Sequence, residues 1–296
     1  MASRGRTIAV ALGAIVGVLV LFLVTVWVLV ALLEGTGFPG GQKVAIVELE
    51  GIILESEPLV RELREHQENP AVRAVVLRIN SPGGLVGPTQ EIYAAVQRLR
   101  KAGKPVVASF GSVAASGGYY VASAANRIYA NPGTLTGSIG VVMQMANVEG
   151  LLKKVGVDYV VVKSGQYKDI GSFARAMSPE ERRILQALLD DVYDQFVDAV
   201  AQGRELNRQV VLGFADGRIV SGHQAKELRM VDALGGLEEA IEGAAALAGL
   251  PERPKLIFPR RRFSLLDLLG IRFGWGERTL LPAGLSLFKT PLYLMD

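Results

Sequence analysis

The chain has 296 residues, of which half are hydrophobic, a formal net charge of +3 and no cysteine. A chain without cysteine cannot form disulfides, thiolate metal sites or a cysteine nucleophile. Acidic and basic residues are interleaved except at three consecutive arginines, residues 260–262, so no nucleic-acid-binding surface is predicted.

The N-terminal segment is strongly apolar. Residues 8–33 carry no charge, and a helix of that length exceeds the roughly 30 Å hydrocarbon core of a bilayer. Arg4 and Arg6 precede it while Glu34 follows it, which by the positive-inside rule places the N-terminus in the cytoplasm and the remainder outside. A cleavable signal peptide is the alternative, but its apolar region would be shorter and would end in a small-residue cleavage site. The sequence therefore predicts an uncleaved transmembrane helix in residues 1–38, with membrane lipid as its partner.

Strands and amphipathic helices alternate after a glycine-rich linker. The predicted strands are residues 44–49, 75–79, 106–110, 127–130 and 159–162. The predicted helices are residues 59–67, 89–101, a helix that begins at Ser116, and residues 148–154. This alternation predicts an α/β fold with a largely parallel sheet. Residues 39–250 are long enough for one domain with its own core.

A long helix is predicted after residue 177. Ser178, Pro179 and Glu181 form an N-terminal capping pattern. Apolar residues then recur at helical spacing: Ile184, Leu185, Leu188, Val192, Phe196 and Val200. Such a stripe packs on the core of its own domain or on a neighbouring subunit, and the pattern leaves both open.

Residues 251–296 form a C-terminal extension with three possible roles. The arginines at 260–262 precede an apolar stripe, as in segments that lie on anionic membrane surfaces. Packing on the domain or on a neighbouring subunit is the second interpretation. The last six residues are extended and apolar, and occupation of a substrate groove is the third.

Candidate catalytic residues include serines beside glycines and a lysine, but no suitable histidine. A serine hydroxyl needs a base to take its proton, and His66 and His223 lie in segments that predict exposed helix positions. Ser116 precedes two glycines at a predicted helix start, where amide N–H groups are free to face negative charge. These features favour a serine hydrolase with a lysine base. No residue pattern implies a metal or another cofactor.

Four blocks, residues 78–84, 114–120, 135–141 and 163–169, resemble signal peptide peptidase A, a family of membrane-anchored bacterial Ser/Lys peptidases in the ClpP/crotonase superfamily. The resemblance covers about residues 43–249. It implies a ClpP/crotonase-like ββα spiral and a prokaryotic cell membrane location. It also implies a homo-oligomeric ring and peptide substrates, namely remnant signal peptides and other extended apolar segments bound as added strands.

The resemblance assigns roles to individual residues. Ser116 matches the nucleophile, Lys168 the general base and Ser138 the hydroxyl that orients the lysine amine. The resemblance also brings Gly83 and Gly84 beside Ser116, where they and Gly117 are the predicted oxyanion-hole residues. Gly137 and Asn80 are the predicted substrate-binding residues. The lysine amine has a pKa of about 10.4 in model peptides, so a lysine base is expected to be desolvated. Lys163 is the rival base but does not align, and Asp169 could instead pair with Lys168. Tyr119 and Tyr120 are expected to be core or cleft-wall aromatics.

One departure from the family pattern concerns the end of a helix. Arg229 and Met230 stand where Gly-Leu is usual, which predicts a somewhat different helix end, since glycine permits positive φ.

The alternative functions are a related membrane protease that clips stomatin-like partners, a crotonase-like acyl-CoA enzyme, and an inactive scaffold. The serine and lysine are superfluous in an acyl-CoA enzyme, and their presence argues against a scaffold.

Overall fold

The computed structural model describes residues 2–33, 42–259 and 292–294. It forms two compact units, residues 1–41 and 42–296. The first unit consists of helix α1 (Ala2–Leu33), whose side chains at residues 13–28 are all exposed. Among the residues described, no helix is both long enough and apolar enough to cross a membrane.

The second unit contains eight helices and nine strands in its described part. The helices are α2 (Glu57–Glu68), α3 (Val86–Lys101), α4 (Gly117–Ser123), α5 (Glu149–Lys154), α6 (Pro179–Gly203), α7 (Arg208–Leu212), α8 (Gly222–Glu227) and α9 (Leu237–Leu247). The strands are β1 (Lys43–Ile53), β2 (Val72–Leu85), β3 (Val106–Ala115), β4 (Arg127–Ala130), β5 (Leu135–Gly137), β6 (Ile219–Ser221), β7 (Ala233–Leu234), β8 (Lys255–Ile257) and β9 (Leu292–Leu294).

One sheet joins all nine strands. Its main path runs β6-β5-β3-β2-β1-β8, while β4 pairs with β3 and β7, and β9 pairs with β2. The β5–β6 and β2–β9 pairs are antiparallel, and the other pairs are parallel. The predicted α/β fold with a largely parallel sheet is confirmed.

The sheet is buried on both faces, as parallel sheets usually are. Successive strand side chains point to opposite faces: Ala45 and Val47 belong to the large core that includes residues of α3, α4 and α6. Val44 and Ile46 belong to a smaller core with α9. The near-continuous apolar runs of β1, β2 and β3 follow from this double burial.

Strand β3 changes partners along its length, and this shapes one edge of the sheet. Its first half pairs with β4, whereas residues 113–115 pair with β5. Strand β2 loses register with β3 between Ile79 and Ser81, and its last three residues pair with β9. The ends of β2, β3 and β5 therefore meet at a single edge.

Most predicted elements are confirmed, with three differences. Residues 159–162 form no strand, because the described chain provides no partner strand for them. Gly83 and Gly84 lie beyond the predicted strand 75–79 but belong to the irregular end of β2. Arg229 adopts φ 60°, so the left-handed geometry expected of glycine is retained and the predicted difference at this helix end is wrong.

Candidate active site

Three of the four sequence blocks meet where β2, β3 and β5 end. Ser81 is in register with Ala114, and Ala115 is in register with Gly137. The N–H of Ser116 donates to the carbonyl of Gly137 at 2.8 Å, and Thr136 Oγ1 donates to the carbonyl of Ala114 at 2.6 Å. Adjacent strands thus bring the Ser81, Ser116 and Ser138 segments together.

Ser116 occupies a strained position between β3 and α4. Its φ of 51° and ψ of −118° are rare for a residue with a Cβ and cost on the order of 1–3 kcal/mol. Its side chain is buried, and Oγ has no hydrogen-bond partner among the described residues. A buried unpaired hydroxyl costs a further 1–3 kcal/mol or so. Backbone strain and a buried hydroxyl without a partner are both typical of functional positions.

The start of α4 packs tightly against β2. A Cβ on Gly118 would lie 2.9 Å from the Ser81 carbonyl oxygen, so only glycine fits between them. The first N–H groups of α4, including that of Gly117, have no acceptor within the helix. This leaves the Gly117 N–H available to a negatively charged oxygen beside Ser116.

The other predicted oxyanion residues are near α4 but already engaged. Gly83 has φ 104°, and its N–H donates to Ser81 Oγ at 3.1 Å. Gly84 is pressed against the backbone of Ile53, because a Cβ there would lie 2.1 Å from the Ile53 carbonyl oxygen. Ser81 Oγ therefore supports the Gly83 amide, a role that no pattern in the sequence indicates.

Ser138 is buried and lines a cleft. Its φ is 50°, and its N–H donates to the Arg218 carbonyl at 2.8 Å. The cleft has a volume of about 580 Å³. It is lined by residues 138–142 and 215–217, Ile219, and the α6 side chains Gln186, Leu189, Asp190 and Tyr193. Ser138 thus borders both the β5 end and an open cleft.

Lys168 is not joined to Ser116 in the single chain. Its side chain is exposed, so the expected desolvation is not seen. Its N–H closes a turn onto the Gly165 carbonyl at 3.2 Å. It forms no salt bridge with Asp169, whose carboxylate is held by Lys163 and Arg175. Asp169 therefore pairs with Lys163 and Arg175 rather than with Lys168. The amine of Lys163, the rival base, is held in this salt bridge.

Other candidates have structural roles. Asn80 Oδ1 accepts from the Val113 N–H at 3.3 Å and so links β2 to β3. Tyr119 donates to the Met230 carbonyl at 3.0 Å, and burial raises its pKa. Tyr120 contacts the Tyr93 and Phe196 rings, and burial raises its pKa to about 12. The two tyrosines are aromatics of the core, as predicted.

Each histidine lies near a glutamate of its own helix. His66 Nε2 is 3.8 Å from Glu62 and His223 Nδ1 is 3.9 Å from Glu227, each one helical turn along the same helix. His223 is exposed as predicted, whereas the His66 side chain is only 13% exposed.

Comparison with known proteins gives the family. The model of peptidase family S49 matches residues 98–251, more than half of the chain. A provisionally named protease of Synechocystis sp. is 50% identical over 217 residues, which are 73% of this chain and 78% of that protein. A provisionally named signal peptide peptidase SppA of Enterococcus faecium is 40% identical over 61% of this chain and 53% of its own length.

Protease 4 of Salmonella typhi is 34% identical over 85% of this chain, but the match spans only 42% of that longer protein. The matched region of the family model contains Ser116, Ser138 and Lys168. From these similarities and from the resemblance carried by its four sequence blocks, the chain belongs to peptidase family S49.

Proposed function

We propose that this chain is a serine endopeptidase, with a ClpP/crotonase-like spiral fold, in which Ser116 is the nucleophile and Lys168 the general base. The observation that carries the proposal is the buried Ser116 hydroxyl, which has no hydrogen-bond partner among the described residues. It lies beside the free N–H groups that begin α4. Remnant signal peptides and other extended apolar segments are the proposed substrates.

In the proposed mechanism the neutral Lys168 amine takes the Ser116 proton while Oγ attacks the peptide carbonyl carbon. The Gly117 N–H stabilises the oxyanion, and Gly84 or Gly83 supplies the second donor. Gly83 would first release its bond to Ser81 Oγ. When the C–N bond breaks, Lys168 returns the proton to the leaving amine. Lys168 then deprotonates the water that hydrolyses the acyl-enzyme, and the proton returns to Ser116.

Single variants test this assignment. Ser116→Ala and Lys168→Ala should each reduce peptide cleavage by about 10³-fold or more, and Ser138→Ala should reduce it less. Ser123→Ala in α4 and Lys153→Ala in α5 are matched controls that should retain activity. Near wild-type turnover by either Ser116→Ala or Lys168→Ala would contradict the mechanism.

We also propose that the dyad is completed between copies in a homo-oligomer. The segment that leads to Lys168 exposes apolar side chains, including Val160 at 82% and Val162 at 97%, and exposed apolar patches mark interaction surfaces. A neighbouring copy would cover this segment and desolvate Lys168. Mixed Ser116→Ala and Lys168→Ala chains should then regain activity. A mixture that co-assembles but stays inactive would exclude a shared dyad.

Substrate is proposed to bind by strand addition. Strand β9 supports this mode, because it pairs antiparallel with Gly83–Leu85 in the register Gly83–Leu294, Gly84–Tyr293 and Leu85–Leu292. The edge beside the proposed oxyanion residues thus accepts an extended segment. Gly137, whose carbonyl accepts the Ser116 N–H, would fix the nucleophile beside the bound strand.

We propose, finally, that residues 1–38 anchor the chain to a prokaryotic cell membrane, with the catalytic domain outside. The proposal rests on the uncharged residues 8–33 and on the exposed apolar side chains of α1, such as Trp27 at 71%. Full-length protein should remain with membranes after alkaline extraction, whereas a chain beginning at residue 42 should be released. Release of the full-length chain would contradict the anchor.

A further inference from the structure

Four charged side chains form a connected network around the turn that carries Lys168. Lys163 Nζ donates to Asp169 Oδ1 at 2.5 Å, and Arg175 Nε donates to Asp169 Oδ2 at 2.9 Å. The other end of the Arg175 guanidinium donates to both carboxylate oxygens of Glu181, one of them at 2.8 Å. Arg175 therefore bridges two carboxylates that lie in different parts of the chain.

The network ends on a rigid support. Glu181 is 3% exposed and lies in the first turn of α6, where its carboxylate accepts the Ser178 N–H at 2.9 Å. Ser178 Oγ accepts the Glu181 N–H at 3.1 Å, which completes a capping box. Because the planar guanidinium has donors in a fixed fork, Arg175 holds the Asp169 carboxylate in a fixed position relative to the start of α6.

Asp169 is the residue next to the proposed base. An unpaired carboxylate beside a lysine favours the charged ammonium over the neutral amine that a base requires. Here both Asp169 oxygens are taken by cations, and hydrogen bonds from Arg175 and Lys163 lower the pKa of Asp169. Its negative charge is thus balanced without the Lys168 amine.

The surrounding charges do not replace this arrangement. Glu149 of α5 pairs with Lys153 and accepts the Ala176 N–H at 3.0 Å. Arg175 also donates to the Ala176 carbonyl at 3.1 Å and lies 3.4 Å from the Asp169 carbonyl. Among the described residues, Lys163 and Arg175 are the cations that hold Asp169.

We propose that Arg175 is a positioning residue for Lys168: it fixes the Lys168 turn on the start of α6 and holds the Asp169 carboxylate away from the lysine amine. This inference rests on the proposed role of Lys168 as base. It assigns two separable effects to one side chain. One is geometric and sets the turnover rate, while the other is electrostatic and sets the pH at which the base becomes active.

The test compares three variants and one control variant for kcat, KM and the pH profile of peptide cleavage. Arg175→Ala should lower kcat about 10- to 100-fold, as expected for a misplaced catalytic group, with KM nearly unchanged. The acidic limb of the pH–rate profile of this variant should move to higher pH, because Asp169 then favours the charged ammonium of Lys168. Adding Asp169→Asn to Arg175→Ala should return the limb toward wild type without restoring kcat. Arg175→Lys should be intermediate, since an ammonium cannot bridge both carboxylates with the same geometry.

Arg183→Ala is the matched control. Arg183 also lies in the first turns of α6, but its side chain is 75% exposed and pairs with Glu180 on the surface. This variant should leave kcat and the pH profile unchanged. Thermal melting and assembly size would establish that each variant is folded, and millimolar guanidinium should partly restore Arg175→Ala.

The outcomes separate this inference from the proposed function. An inactive Lys168→Ala together with a fully active Arg175→Ala would overturn the positioning role and leave the dyad intact. Loss of kcat in Arg175→Ala with an unmoved acidic limb and no guanidinium rescue would likewise overturn it. An active Lys168→Ala would instead remove the proposed base itself.

Discussion

At the scale of single residues, the candidate site is marked by strained backbone conformations and by a buried hydroxyl without a hydrogen bond. Ser116 and Ser138 both adopt positive φ, 51° and 50°, and the Ser116 hydroxyl is buried without a partner among the described residues. Such positions persist when the surrounding structure enforces them, and they cluster at active sites.

Ser116→Ala should therefore raise stability while it abolishes cleavage. Removal of an unpaired buried hydroxyl should increase the free energy of unfolding by about 1 kcal/mol. Ser123→Ala is the control of opposite sign, because its buried hydroxyl donates to the Tyr120 carbonyl at 2.7 Å. Denaturant unfolding of both variants checks the prediction, and a less stable Ser116→Ala would contradict it.

Arg229 provides a second test of backbone strain. At φ 60°, an exposed arginine adopts a conformation that glycine accepts without a Cβ clash. Arg229→Gly should stabilise the chain by roughly 0.5–1 kcal/mol, measured by chemical unfolding. Lys226→Gly, within α8, should destabilise by about 1 kcal/mol. Equal losses of stability in both variants would show that Arg229 is not strained.

At the scale of elements, the capped start of α6 couples stability to pH. The hydrogen bonds from Arg175 lower the pKa of the buried Glu181 to about 2, from an ordinary value of 4.5. A depressed pKa stabilises the fold above the unfolded value, and that contribution is lost as pH falls toward the folded value.

The stability difference between wild type and Glu181→Gln should accordingly shrink as pH falls from about 4.5 to about 2. Glu180→Gln, at an exposed neighbouring position, is the matched control and should give a much smaller change over that window. Urea unfolding at a series of pH values measures both. A difference that stays constant across this range would refute the coupling.

Strand β9 occupies the edge proposed for substrate, so the two should compete. In a chain that ends at residue 291, KM should fall while kcat stays constant. The fall would be about tenfold if the strand is paired nine-tenths of the time. An added peptide with the sequence of residues 291–296 should inhibit the shortened chain more strongly than the full-length chain. An unchanged KM would show that β9 and substrate use different sites.

The sequence predicts elements well where the signal is local. The capping pattern at Ser178 and Glu181 depends on residues three apart, and the structure confirms it. The strand predicted at residues 159–162 is wrong because β-branched composition favours a strand only when a partner strand is present. The pairing of β9 with β2 joins segments that are distant in the sequence, so no local pattern could predict it. The bridge from Arg175 to Asp169 spans six residues of an irregular connection, which has no periodic pattern that would predict a contact.

At the scale of the whole molecule, the predicted site is only partly assembled in one chain. The sheet brings together the Ser81, Ser116 and Ser138 segments, because the strands before them are adjacent. Lys168 lies in the long connection between α5 and α6, which is exposed over residues 158–168. Its sequence block predicts the residue, but no local pattern predicts where an exposed connection of this length places a side chain.

The central claim is that Ser116 is the nucleophile, and covalent labelling tests it most directly. The full-length protein would be treated with a fluorophosphonate probe, and the labelled peptide would be identified by mass spectrometry. We predict one modified residue, Ser116, with labelling that increases with pH and is lost in Lys168→Ala. Labelling of another serine, or equal labelling of the Ser116→Ala chain, would contradict the account.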